Sequence, residues 1–244
     1  MNLILDFGNT HKKLALYDAG GLQLVQFHPV ITRELIAQLV EAHPAITSCI
    51  LSSVVKHSDD IPVYLRQKMF FIDLDEHTPV PVTNRYDTKS SLGKDRLAAA
   101  VAGAMTFPGE NVLVVNAGTA LTFDFVTGKG EYLGGSISPG MQMRFNALHT
   151  FTGKLPLLSY QDPAGLVGTN TRMSILSGVI NGMVAEIEGI SHGYQEIYPG
   201  LKIILSGGDL NYFVNRLKIS IFALPNIVIH GLQQILLFNV NKAK

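Results

Sequence analysis

Apolar runs alternate with short polar punctuation along the first fifty residues, and the spacing predicts three strands before any helix. Strands are expected over 2–5, 11–18 and 22–27, the last two joined by the Asp18-Ala19-Gly20-Gly21 turn. Thr32 is placed to cap a helix over 33–41, with Leu35, Ile36 and Leu39 on one face. A buried strand over 49–54, a helix over 61–68 and a strand over 70–74 follow. Prolines and helix-poor polar residues over 78–91 predict a loop, and the alanine-rich stretch 97–105 predicts a helix.

The plan returns after Phe107-Pro108-Gly109 interrupts it. Strands are expected over 112–115 and 122–126, and a third over 132–136 after the Thr127-Gly128-Lys129-Gly130 turn. Helices are expected over 140–149 and, long and apolar, over 171–188. A strand over 203–206 ends in Gly207-Gly208-Asp209, and a last strand over 227–229 precedes a C-terminal helix from Gly231. Strands first, then helix and strand in alternation, twice over, predict an α/β fold with mixed sheets. The expected halves are residues 1–108 and 109–244.

The repeated plan carries a repeated chemical feature. Leu3-Ile4-Leu5-Asp6-Phe7-Gly8-Asn9-Thr10 is an apolar strand running into an acid, a glycine and small polar side chains, and Val112-Leu113-Val114-Val115-Asn116-Ala117-Gly118-Thr119-Ala120 is the same design altered. Glycine in such a turn lets backbone N–H groups approach phosphate oxygens, and Asn and Thr add donors. An aspartate there is wrong for bare phosphate and right for the magnesium that accompanies it. A nucleotide-dependent phosphoryl-transfer enzyme is the expectation.

Composition narrows the remaining classes. Hydrophobic residues at 47% and charged residues at 16% exclude a disordered or coiled-coil chain, and 244 residues can bury a core in one or two domains. Nineteen Lys and Arg balance nineteen Asp and Glu, so no overall field draws in nucleic acid or an anionic membrane. The lone Cys49 forms no intrachain disulfide, which fits a reducing compartment. No signal peptide is evident, and no apolar run approaches the roughly 20 residues of a membrane helix. A cytoplasmic protein with no membrane and no nucleic-acid partner is expected.

Asp6-Phe7-Gly8-Asn9-Thr10 with Lys13, Tyr86 followed by Leu92-Gly93-Lys94-Asp95-Arg96, Asn116-Ala117-Gly118-Thr119-Ala120, Gly134-Gly135-Ser136-Ile137-Ser138-Pro139-Gly140 and Gly168-Thr169-Asn170-Thr171 together resemble the type III pantothenate kinases. That family lies in the acetate kinase, sugar kinase, Hsp70 and actin superfamily. The resemblance implies duplicated ribonuclease-H-like, actin-like ATPase domains with an ATP cleft between the halves. It implies ATP-dependent phosphorylation of pantothenate to 4′-phosphopantothenate, the first step towards coenzyme A. It also implies a homodimer, for which Met141, Met143, Phe145, Leu148 and the apolar helix from Met173 supply surplus apolar surface, an internal core being the other reading.

Carried over residue by residue, the resemblance puts ATP at Asp6, Phe7, Gly8, Asn9, Thr10, His11, Lys12, Lys13 and Thr119, with Asp6 organising Mg2+. Read from the sequence alone, Asp6 is equally a turn aspartate bonding local N–H groups, and His11 and Lys12 are solvent-facing neighbours of the loop. The resemblance puts the substrate at Tyr86, Gly93, Lys94, Asp95, Arg96 and Thr171, with Asp95 as general base. Their local alternatives are a helix-start aspartate, a helix-stabilising ion pair for Arg96, a packed Tyr86 and an N-cap for Thr171. Gly207 and Gly208 match the superfamily's adenosine region or form a plain turn, and His149 reads as a packed helix-end histidine. Relatives generally carry aspartate where this chain has Asn116, at the position associated with a monovalent cation, so K+ or NH4+ binding there should weaken. A non-catalytic nucleotide or pantothenate regulator of the same fold, and a related small-molecule kinase, are the alternatives.

Overall fold

The structure, a computed structural model, describes residues 1–8, 10–160 and 164–243. In chain order it forms β1 (Asn2–Phe7), β2 (Lys12–Asp18), β3 (Gly21–His28), α1 (Arg33–Ala42), β4 (Ser48–Ser53), α2 (Asp60–Lys68), β5 (Phe70–Asp73) and β6 (Thr83–Asn84). After a single 3-10 turn at Lys89–Ser91 come α3 (Lys94–Thr106), β7 (Val112–Ala117), β8 (Ala120–Val126), β9 (Glu131–Pro139), α4 (Met141–Thr150) and α5 (Thr171–Ile197). The chain ends with β10 (Lys202–Ser206), α6 (Leu210–Phe213), β11 (Phe222–Ala223) and α7 (Ile227–Lys242). Two compact units result: Met1–Thr106 with Gly130–Tyr132 and Asn226–Lys244, and Phe107–Lys129 with Leu133–Pro225.

In the first unit the sheet runs β3-β2-β1-β4-β5, with β1 antiparallel to β2 and parallel to β4. The two-residue period of a strand divides its faces. Leu3, Leu5 and Phe7 join Leu14, Leu16, Cys49 and Leu51 in one core, closed by Ile36 of α1 and Ile61 and Leu65 of α2. Thr32 caps α1 as the pattern predicts, its Oγ1 accepting from Leu35 N at 3.3 Å. Asn2, Ile4 and Asp6 face the other way. There Asn2 donates to Gln233 of α7 at 3.1 Å and accepts from Ser48 at 2.7 Å, while Tyr17 and His230 of α7 bond at 2.6 Å.

Helix α7 corrects the expectation of a strand over 227–229 and a helix from Gly231. The helix starts directly after Asn226, which sits at φ 55° and ψ 36°. Ile227-Val228-Ile229 satisfies both a short buried strand and a buried helical turn, and periodicity alone does not separate them. Continued burial of Leu232, Ile235 and Leu236 decides for the helix. Each such side chain, fully buried, contributes on the order of 1.5–3 kcal/mol. Gly231 is a contact inside the helix: a Cβ there would lie 1.8 Å from the Ala98 carbonyl oxygen, so its absence lets α7 close on α3.

In the second unit β7 is antiparallel to β8 and parallel to β10, repeating the β2-β1-β4 arrangement. Leu113, Val115, Phe123 and Phe125 pack with Ile175, Leu176, Val179, Ile180, Met183 and Ile187 of α5. Helix α5 runs nine residues beyond the expected 188 and, by length and composition, is long and apolar enough to cross a membrane, contrary to the sequence expectation. Its buried stripe accounts for that apolarity by lining a core. Met141 and Phe145 of α4 are buried in the same core, while Met143 is 45% exposed. Residues 78–91 are mostly irregular as expected, apart from the 3-10 turn at Lys89–Ser91 and β6, whose two residues are too few to show a period.

Candidate functional site

The first unit gathers most of the singled-out residues around the end of β1. The register sets Asp6 opposite Lys13 on β2 and Ser52 on β4, so these three side chains share the face away from the Leu3-Leu5-Phe7 core. Asp6 is 8% exposed, and burial pushes its carboxyl up to about 6, with Lys13 drawing it down and Asp95 adding to the rise. Lys13 also lies over the Phe27 ring, 5.7 Å from the centroid. Phe7 is fully buried, so what it offers a ligand is backbone. Gly8 N donates to His11 O at 3.1 Å and closes the turn, within which Asn9 lies outside the described residues. Thr10 is exposed. The His11 ring packs edge-on to Phe27, and Lys12 Nζ donates to the Pro29 carbonyl at 3.0 Å, so both are engaged beside the loop.

The Gly93-Lys94-Asp95-Arg96 segment opens α3, one turn earlier than the alanine run indicates. The Arg96 N–H donates to Asp95 Oδ1 at 2.9 Å, which folds the carboxylate back over Gly93. A Cβ at Gly93 would sit 2.6 Å from that oxygen, so a larger residue there would make the Asp95 side chain shift. Arg96 is 6% exposed, with its guanidinium 5.8 Å from the Tyr86 centroid, and Tyr86 stacks on the fully buried Tyr132 at 6.3 Å and 13°. Thr83 N–H to Gly130 O at 2.8 Å, Arg85 N–H to Tyr132 O at 2.9 Å and the Arg85–Glu131 ion pair hold Tyr86 in place. Tyr132 read in the sequence only as a strand residue, and nothing local marks it as the wall behind Tyr86.

Mg2+ and ATP are not part of the structure, and the donor set decides what it would accept. Among the described residues no three His, Cys, Asp or Glu side chains form a metal cluster. Asp6 nevertheless fits Mg2+, which takes one or two carboxylates and fills its remaining positions from phosphate and water. A buried carboxylate whose charge is disfavoured by burial and by a second acid is relieved by a bound cation.

The second unit holds Asn116, Thr119 and Thr171. Asn116 lies half-buried between Thr122 on β8 and Ser206 on β10, and Thr122 Oγ1 donates to the buried Asp124 at 3.1 Å. Exposed Thr119 occupies the turn that Gly118 N–H to Ala120 O closes at 3.0 Å. Gly207, at φ +101°, brings its backbone against the same turn: a Cβ there would be 2.0 Å from Ala117 O, which also accepts from Asp209 N–H at 3.0 Å. Burial lifts the Asp209 carboxyl to about 6, a feature its Gly-Gly-Asp context did not reveal. Thr171 is not the α5 cap: Asn170 Oδ1 accepts from Met173 N at 3.0 Å, and Thr171 instead lines a groove of about 750 Å³ with Arg144, Leu148, Leu155 and Ile175. His149 is exposed rather than packed, its Nδ1 2.8 Å from Leu155 O.

Doubled strand arrangement and turn chemistry define an actin-like fold of two α/β lobes with mixed sheets. A Campylobacter jejuni structure provisionally described as a conserved Baf family transcriptional activator is similar at a TM-score of 0.62 and 21% identity, covering 98% of this chain and 99% of that one. A glucokinase from an Antarctic psychrotroph is similar at 0.53 and 11% identity, covering 97% and 98%. At these identities the likeness is one of fold.

The family follows from sequence. The family model described as type III pantothenate kinase matches residues 2–193. A type III pantothenate kinase from Phocaeicola vulgatus is 43% identical over 243 residues, 98% of this chain and 99% of the relative. The chain belongs to the type III pantothenate kinase family.

Proposed function

We propose that this chain phosphorylates pantothenate with ATP, giving 4′-phosphopantothenate and ADP on the route to coenzyme A, with the mixed acidic and basic group of the first unit as its chemical centre. The activity is that of the family, and the observation that carries the residue roles is the convergence of Asp6, Lys13, Asp95, Arg96 and Tyr86 in one unit. Asp95 accepts the proton of the substrate hydroxyl as that oxygen attacks the γ-phosphorus. The new O–P bond forms as the bridging P–O bond breaks, and the electron pair leaves with ADP. Lys13 places a point charge beside the phosphates, and Arg96 offers a planar fork to an anionic group, its plane steadied over Tyr86. Asp6 would hold Mg2+, which when bound would supply charge compensation for the phosphates. Because the transition state is loose, positioning and charge outweigh base strength.

Thr119 and the Gly207 turn serve the nucleotide, and Thr171 the substrate. Asn116 offers a neutral amide oxygen where a carboxylate would hold K+ or NH4+ strongly, so dependence on a monovalent cation is weak. Exposed Ile137, Met143, Phe151, Leu166 and Val167 support a homodimer formed through the second unit, with light scattering at micromolar concentration as its check. The balanced formal charge and single cysteine support a cytoplasmic protein with no nucleic-acid partner.

Mass spectrometry of the product tests the reading. Pantothenate heavier by one phosphoryl group, formed only with ATP and Mg2+, is expected. A regulator of the same fold would bind ligand and leave pantothenate unchanged.

A further inference from the structure

Ser52 stands out because its hydroxyl is buried and unused. The residue is 1% exposed, and its Oγ has no hydrogen-bond partner. Buried hydroxyls are normally paired, because leaving one unpaired forfeits its hydration without return. Its neighbour is ordinary in this respect: Ser53 Oγ donates to Val55 O at 2.6 Å.

The position of Ser52 is as telling as its isolation. Across the sheet the register aligns Phe27, Lys13, Asp6 and Ser52 in one row. Side chains of registered neighbours project from the same face, and four residues earlier on the same two strands the pair Asn2 and Ser48 bonds at 2.7 Å. In the register, Ser52 therefore stands to Asp6 as Ser48 stands to Asn2. The matching position in the second unit is Ser206, registered with Asn116, and that serine does have interactions. Of these two registered serines, the one whose hydroxyl has no partner is beside the acid.

We infer that Ser52 is a positioning residue for Asp6: its hydroxyl donates to the Asp6 carboxylate in the ligand-bound protein and fixes that acid's orientation toward the nucleotide's divalent cation. The inference rests on the kinase reading. Lys13 supplies charge from one side of Asp6, and Ser52 supplies a directional donor from the other. A fixed carboxylate holds a cation more tightly than a freely rotating one.

Ser52→Ala separates this role from strand filling. Purified variant and wild type are compared in thermal melting without ligand, with ATP alone and with ATP across a Mg2+ titration, and in turnover across the same titration. The variant is expected to melt at or above the wild-type temperature without ligand and to respond to ATP alone as wild type does. Its Mg2+ half-saturation should rise about tenfold in both assays, the scale of losing a group that orients a metal ligand. Unchanged Mg2+ half-saturation would overturn the inference. A lower ligand-free melting temperature, or failure to fold, would overturn it too, because the hydroxyl would then already serve the fold. Wild type unresponsive to ATP with Mg2+ would remove the kinase reading, whereas normal wild type with an equally responsive variant removes only the role of Ser52.

Discussion

The two hairpins that open the units share one backbone plan and differ in electrostatics. β1 and β7 each pair antiparallel with the next strand and parallel with a later one. The central residue of each trio is Asp6 between Lys13 and Ser52 in the first, and Asn116 between Thr122 and Ser206 in the second. The first trio has an acid lifted to about 6 by burial with a lysine beside it, and the second has a neutral amide flanked by hydroxyls. One scaffold thus presents one charged and one uncharged turn. On the proposed reading, work on Mg2+ and phosphate would fall to the first, and the second would hold the nucleotide through backbone and hydroxyl groups.

Substitutions that exchange or erase this difference sharpen it, and the largest effect is expected next to the charged hairpin. Asp95→Asn should cut kcat by about 10²–10⁴-fold while ATP still raises the melting temperature, the loss expected of a general base. Turnover near the wild-type value would remove that role from Asp95.

Asp6→Asn should lower kcat/KM by about 10²–10³-fold, comparable to removing one preorganised electrostatic group. It should also stabilise the ligand-free protein. The folded carboxyl titrates near 6 and its reference is 3.8, so the folded state holds the proton more tightly and stability falls as pH rises through that window. At pH 7.5 the gain from removing the charge should be about 1–3 kcal/mol, vanishing below about pH 4. Denaturant melts of both proteins across pH check it, and a destabilised variant at pH 7.5 would contradict it.

Tyr86→Phe should raise KM for pantothenate by about 2–10-fold with little change in kcat if the hydroxyl bonds the substrate, the scale of one neutral hydrogen bond. An unchanged KM would leave Tyr86 as the platform beneath Arg96 only. The smallest effect is expected in the second hairpin: Asn116→Asp should introduce a modest stimulation by potassium over sodium, read as initial rate in matched buffers. A wild type already as potassium-responsive as the variant would show that the amide holds the cation well enough.

Strand-and-turn order was legible in the sequence because each strand carries enough apolar residues to show its period. Thr32, the Asp18–Gly21 turn and the paired Asp6 and Asn116 turns were readable for that reason. Elements of two residues, β6 and β11, carry no period, and Ile227-Val228-Ile229 fits two structures until its neighbours on α3 are known. Gly231 read as a helix start because its reason for being glycine is the Ala98 carbonyl of a distant helix. The site divides in the same way. Asp6, Asp95 and Arg96 stand in recognisable local motifs, whereas Ser52, Tyr132 and Asp209 matter through register, stacking and burial, which a linear sequence does not display.

Release of ADP by the purified protein with ATP and Mg2+, with and without pantothenate, for wild type beside Asp6→Asn, tests the account most directly. The account predicts pantothenate-dependent ADP from wild type in sodium as well as potassium buffer, and its near-complete loss in the variant. Folded wild-type protein that releases no more ADP with pantothenate than without it, in either buffer, would contradict it.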